Sequence, residues 1–280
     1  MSWKTARRSV PLDRPLVMGI LNVTPDSFSD GGRFATRKAA AEHVERMIAE
    51  GADIIDIGGE STRPGSKPVA TMAEVERVVP VIEDLAERFD VPISIDTTKA
   101  EVARRAIEAG AEIVNDISGL RWEPELANVA ADAGAGLVLM HSRGTFETMH
   151  SQPPVNEIVE EVIAGLKSSI REAKVRGVDD AQIAVDVGIG FGKTAEQNLE
   201  LLAKLDRIVA EFEIYPLAVG TSRKSFLAKV LGDIPANERL GGSLASALFS
   251  LSMGARIVRV HDVKETVAAI KVLSAIRSQG

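Results

Sequence analysis

The chain has 280 residues, 45% hydrophobic and 26% charged, with no cysteine, the composition of a globular protein with a sizeable core. The lack of cysteine excludes disulfides, thiolate zinc sites, iron–sulfur clusters and a cysteine nucleophile, so a metal would sit among oxygen or imidazole ligands, and a hard ion suits best. A net charge of -7, from 33 basic and 40 acidic residues, argues against nucleic acid or an anionic membrane as partner and leaves any bound anion to a local cluster of cations.

Residues 1–14 carry Lys4, Arg7, Arg8 and Arg14 without the apolar stretch of an export signal, and read as an N-terminal extension to one barrel domain over residues 15–280. The apolar runs are too short to cross a bilayer, so a cytoplasmic protein is expected. Eight runs follow in order: Leu16–Val23, Asp53–Gly58, Pro92–Asp96, Ile113–Ile117, Gly136–Met140, Ile183–Val187, Pro216–Gly220 and Ile257–Val260. Most are near-continuous rather than alternating, which marks strands covered on both faces and hence a parallel sheet. Amphipathic stretches lie between them. One runs from Thr36 to Glu50, and another carries the stripe Val75, Val78, Val79, Ile82 and Leu85 with Pro80 inside it, where a kink or break is expected. Thr71 to Glu74 and Thr194 to Gln197 have the spacing of capping boxes.

Eight strand–helix units with no dividing linker predict an α/β fold, a single (β/α)8 TIM barrel. The alternative, a doubly wound sheet, would carry G-x-G-x-x-G after its first strand in the dinucleotide form. Here Asn22-Val-Thr-Pro-Asp follows instead, and Gly188-Ile-Gly-Phe-Gly192 comes after the sixth strand without the third glycine at the right spacing. The connections Thr24–Ala35 and Glu60–Ala70, after strands 1 and 2, are long and rich in Gly, Pro, Ser and Asp, and are expected to be mobile active-site covers. A third long connection, Ser142–Pro154, has an equal case for being decorative.

Polar residues cluster where the apolar runs end: Asn22; Asp56 and Glu60 with Ser61-Thr62-Arg63; Asp96-Thr97; Asn115-Asp116; His141; Asp186; Ser222-Arg223-Lys224; and Arg259 with His261 and Asp262. A single Asp at a strand end is as often a cap as a catalytic group. Eight strands ending this way point to a site, because barrel active sites lie at that rim and an unpaired buried polar group costs about 1–3 kcal/mol. Arg63, Arg223, Lys224, Arg259 and His261 together could bind a phosphate or diphosphate, while Asp96, Asn115 and Asp186 suit the edge of a flat heterocycle with paired donors and acceptors. Phe191 could cover its face, and His141 could line the site; His43 and His150 have no partner motif. The spacings of zinc and Ser-His-Asp hydrolases are absent.

The segments Met18-Gly-Ile-Leu-Asn-Val-Thr-Pro-Asp-Ser-Phe-Ser-Asp-Gly-Gly32 and Asp53-Ile-Ile-Asp-Ile-Gly-Gly-Glu-Ser-Thr-Arg-Pro-Gly65 resemble the two signatures of the dihydropteroate synthases, the sulfonamide-target family of folate biosynthesis. Ser94–Thr97, Asn115-Asp116, Gly190–Lys193, Gly220–Phe226 and Arg259–Asp262 continue the resemblance, which runs from Leu16 to about Ile276. It implies a transferase that joins 6-hydroxymethyl-7,8-dihydropterin diphosphate to 4-aminobenzoate, giving 7,8-dihydropteroate and diphosphate, with Mg²⁺ as cofactor and a homodimer as the assembly.

Carried over by residue, the resemblance implies that Asp96, Asn115, Asp186 and Lys224 hold the pterin with Met140 and Phe191 packed near it. Asn22, Thr62, Arg63, Arg259 and His261 would hold the diphosphate, Asn22 through the metal. Phe28, Pro64, Ser222 and Ser225 would shape the aminobenzoate pocket, and Asp96, Lys224, Arg259 and His261 would carry the chemistry. One departure is the reading Asp186-Val-Gly188 where the family commonly has Asp-Pro-Gly, which frees the backbone there. The expected mechanism is substitution at the pterin methylene with carbon–oxygen cleavage ahead of attack. Two other readings are a pterin-binding barrel that transfers a methyl group from methyltetrahydrofolate to a corrinoid protein, and a barrel that binds pterin or phosphate without catalysis.

Overall fold

In this computed structural model, which describes residues 1–23, 32–63 and 65–279 and the side chains of these except 32–36, the chain starts with a hairpin, β1 (Ser2–Lys4) and β2 (Ser9–Pro11). The eight apolar runs then form β3 (Leu16–Asn22), β4 (Ile54–Gly58), β5 (Ile93–Asp96), β6 (Ile113–Asp116), β7 (Gly136–Met140), β8 (Ile183–Asp186), β9 (Leu217–Val219) and β10 (Ile257–Val260). Each pairs in parallel with its neighbour and β10 returns to β3, so the sheet closes into the expected barrel with the helices around it.

The interior is graded along the barrel axis. Leu16, Met18, Ile54, Ile113, Val138, Ala184, Ala218 and Ile257 form one core inside the lower half, while the alternate residues Val17, Ile55, Ile57, Val114, Leu139, Val185 and Val258 face the surrounding helices and belong to a second, larger core. Side chains alternate along a strand, so two residues beyond the interior set come Asp56, Asn115, Met140, Asp186, Gly220 and Arg259. The same period that buries the apolar layer therefore aims a polar one at the mouth.

Between the strands lie α1 (Gly32–Ala49), α2 (Thr71–Arg88), α3 (Ala100–Glu108), α4 (Leu126–Ala133) and α5 (Ile158–Val175), then α6 (Ala195–Ala203), α7 (Leu205–Glu211), α8 (Ser225–Leu231), α9 (Leu240–Ser252) and α10 (Val263–Arg277). Helix α2 runs through Pro80 without the expected break, because Val78, Val81, Ile82 and Leu85 pack against the barrel on both sides of it. The capping box expected at Thr71 is also missing: Ala70 is the cap residue, and Glu74 turns inward to Lys99. The box at Thr194 and Gln197 is formed as expected. The connection Thr24–Ala35 lies outside the described residues over 24–31, and Phe28 and Pro64 with it.

The basic N-terminal segment closes the bottom of the barrel. Trp3, fully buried, reaches into the interior core and donates its indole N–H to the Gln182 carbonyl at 2.7 Å. Buried Glu112 accepts from Thr5 Oγ1 at 2.7 Å and pairs with the Arg8 guanidinium at 2.9 Å, and Arg14 pairs with Asp53. Arg8 and Arg14 are thus engaged on the barrel itself. Trp3→Ala is expected to lower stability by about 3–5 kcal/mol, the cost of emptying a large buried aromatic site; a urea midpoint unchanged from that of the native chain would show that the plug contributes nothing.

Candidate functional site

The polar layer meets around Arg259. Its Nε donates to Asp56 Oδ2 at 2.6 Å and its Nη2 to Asp96 Oδ2 at 2.6 Å, and Asn115 Nδ2 donates to the same Asp56 oxygen at 3.2 Å. Carboxylates this far from solvent need a counter-charge, and a planar guanidinium can serve two of them at once. Burial opposes the charge on Arg259, but Asp56 and Asp96 hold its pKa above the usual value. Burial raises the Asp96 pKa against the pull of Arg259, and it raises that of Asp186 against the pull of Lys224. Asp56, named in sequence only as one of many strand-end carboxylates, turns out to be the fully buried centre of the network. The signal available was its place two residues after interior Ile54.

Lys224, the cap residue of α8, donates to the Ile189 carbonyl and stands 4.6 Å above the centroid of the Phe191 ring. Burial pushes its pKa down to about 8, partly offset by Asp186. Met140 pairs in register with Asp186 and is buried beside it at the end of β7. The structure therefore brings Asp96, Asn115, Met140, Asp186, Phe191, Lys224 and Arg259 together.

On the facing side, Ser222 Oγ accepts from the His261 amide at 3.2 Å and lies 3.0 Å from His261 Nδ1. Burial, with the charges of Arg259, Arg223 and Arg63, drives the His261 pKa down to about 3, so the imidazole is neutral near pH 7. Arg63 is exposed in the loop after β4, Thr62 is half-buried, and Ser225 is exposed at the first position of α8. Arg223, counted in sequence among the anion-binding cations, adopts a left-handed conformation with φ 59 and pairs with Asp262, so its charge is already matched. His141 does not line the mouth. It follows interior Met140 on the alternating pattern, so its ring lies against Gly165 of α5.

Sequence reasoning missed several supports. Lys99 links Glu60 at 2.9 Å with buried Glu74, and Glu60 also accepts the Val69 amide, tying both ends of the loop after β4 together. His150 donates from Nε2 to the Thr62 carbonyl at 2.7 Å, so the connection Ser142–Pro154 touches that loop and is more than decoration. Neither contact has a motif, since each joins residues far apart in the chain. In Gly188–Gly192 the amides of Gly188, Gly190 and Phe191 go to Asp186 Oδ1, Asn198 Oδ1 and the Gly188 carbonyl, which leaves them unavailable to cradle a phosphate.

For a metal, no cluster of three or more His, Asp or Glu side chains with suitable placement exists among the described residues. Asp96 Oδ2 already accepts from Arg259, and a methyl group at Gly58 would lie 3.8 Å from Asn22 Oδ1, which leaves the Asn22 amide oxygen as a hard donor at that gap. That suits Mg²⁺, which takes one or two protein oxygens and fills its octahedron with water and substrate phosphate.

The family profile described as pterin binding enzyme matches residues 18–261. Dihydropteroate synthase of Synechocystis is 47% identical over 94% of this chain and 90% of its own, and that of Escherichia coli K12 is 46% identical over 96% and 94%. A Xanthomonas albilineans dihydropteroate synthase solved with 4-aminobenzoic acid superposes with a TM-score of 0.91 at 42% identity, covering 99% of both chains. A Yersinia pestis dihydropteroate synthase in a sulfonamide drug complex gives 0.92 at 44%, covering 99% of this chain and 100% of its own.

Because Lys224 is a cation below about pH 8 and neutral above it, affinity for a pterin measured by fluorescence should fall as pH rises through 8. Lys224→Arg should remove that fall, and the difference between the two profiles cancels any titration of the ligand. Identical profiles would take Lys224 out of the site.

Proposed function

The chain belongs to the dihydropteroate synthase family, and we propose that it joins 6-hydroxymethyl-7,8-dihydropterin diphosphate to 4-aminobenzoate through the residues gathered at the barrel mouth. The observation that carries this assignment of residues is the polar interior layer, in which Asp96, Asn115, Asp186 and Lys224 gather around Arg259 and Asp56. Carboxylates on β5 and β8 and an amide on β6 can accept and donate along the edge of a pterin ring, with Phe191 and Met140 against its faces. Arg63, Thr62, Arg259 and neutral His261, with its Nε2–H as donor, would take the diphosphate; Phe28, Pro64, Ser222 and Ser225 would border the aminobenzoate.

Carbon–oxygen cleavage at the pterin methylene leaves positive charge on the ring and negative charge on the leaving diphosphate. Asp96 stabilises the first and Arg63 with Arg259 the second, and fixed charges aimed at developing ones are usually the largest catalytic contribution. Arg259 is well placed because it already touches Asp96: as the diphosphate draws on the guanidinium, Asp96 is left more free to face the cationic ring. The arylamine nitrogen of 4-aminobenzoate attacks the carbon to form the C–N bond, and its proton passes to the departed diphosphate or to water. Asn22 would hold Mg²⁺, which supplies charge to neutralise the diphosphate oxygens. The loops after β3 and β4 would cover the site and exclude water.

A homodimer is the proposed assembly, supported by an exposed apolar surface on α9 and α10, where Phe249 is 42%, Val272 61% and Ile276 66% exposed. Val272→Glu with Ile276→Glu should give a monomer in sedimentation; an unchanged dimer would move the interface elsewhere.

Diphosphate release from the pterin substrate should require 4-aminobenzoate, and release that ignores the amine would overturn the proposed reaction. Asp96→Asn is expected to lower kcat/KM by more than tenfold. A loss within about twofold, worth under ~0.5 kcal/mol, would show that the charge at Asp96 is not needed.

A further inference from the structure

We propose that Lys193 is a positioning residue for the pterin wall, and that it acts by gathering the backbone carbonyls of the loop after β8; this rests on the reading of the site above. Its ammonium donates to the carbonyls of His141 at 3.0 Å, Gly188 at 2.8 Å and Phe191 at 3.0 Å, so all three of its donors are spent on neutral oxygens. Two other cations share the task. Lys224 takes the Ile189 carbonyl and Arg143 takes that of Gly192 at 2.9 Å, so four of the five carbonyls from 188 to 192 point at positive side chains.

This geometry forces close approach. A methyl group at Gly188, where φ is 68, would fall 1.8 Å from the His141 oxygen, so the loop is drawn against the end of β7 as tightly as a glycine allows. What the clamp holds is Phe191, whose own carbonyl is one of the three, and Phe191 is the ring under Lys224. Residue 187 is valine here, so no proline ring restricts the backbone at the entrance to this loop, and the cross-links to Lys193 supply the order instead. Lys193 lies behind the loop with its three donors turned to the backbone, so its influence on the substrate passes through Phe191 and Lys224.

The test is Lys193→Met, with KM measured separately for the two substrates and the affinity for a pterin measured by fluorescence. The expected result is a rise of at least tenfold in both the pterin-substrate KM and the pterin dissociation constant, with the 4-aminobenzoate KM within twofold and Lys193→Arg recovering part of the loss. Equal changes in both KM values, or unchanged pterin affinity in a folded variant, would overturn the proposal. If Lys193→Met does not fold, Lys193→Gln, which keeps two donors, takes the same measurements against the same criteria. Wild-type turnover in the same assay separates the two ideas: its absence defeats the proposed reaction, and its presence with no selective pterin loss defeats the clamp alone.

Discussion

Arg259 is the interaction on which the upper half of the barrel depends. Asp56 is fully buried and Asp96 partly so, and without a shared cation between them the barrel would hold two like charges in a medium that screens poorly. The guanidinium settles that conflict through two hydrogen bonds and in doing so fixes the direction of Asp96, while Asn115 completes the set through the shared Asp56 oxygen. The site is therefore held in shape by its own charges before any ligand enters. Such a network costs stability relative to apolar packing, and what it returns is a preorganised field.

The lower half makes that expense tolerable. An unbroken apolar interior closed by Trp3 supplies stability in which the polar layer has no part. Barrels separate these duties by height, with packing at the N-terminal ends of the strands and chemistry at the C-terminal ends. Here the division falls within single strands: β4 passes from Ile54 to Asp56, β6 from Ile113 to Asn115, and β10 from Ile257 to Arg259.

Much of this was legible in the sequence because it follows from local rules. Near-continuous apolar runs gave the parallel strands, and polar residues at their ends gave the rim, since both depend on neighbours one or two residues away. Other features depend on contacts between distant parts of the chain. His141 was misread because its side depends on the phase of β7, set by where the strand starts. Tertiary packing carries α2 across Pro80, where the sequence alone allowed a kink or a break. Arg223 looked like a free cation until Asp262, 39 residues on, was seen to neutralise it. The basic N-terminal segment was opaque for the same reason: Glu112, the partner of Arg8, is 104 residues away.

The Trp3 contact also has a consequence for biosynthesis. Its partner, Gln182, is 179 residues further along the chain, so β1 cannot reach its final place until six more strands, β2 to β7, and the turn into β8 are made. Until then the hairpin is an apolar and basic end without its socket, and the half-built barrel has an open floor. Long-range closures of this kind slow folding, because the entropy of ordering the intervening chain is spent before the contact repays it. The floor of the barrel is therefore finished late, although β1, which forms part of it, precedes every barrel strand in the chain.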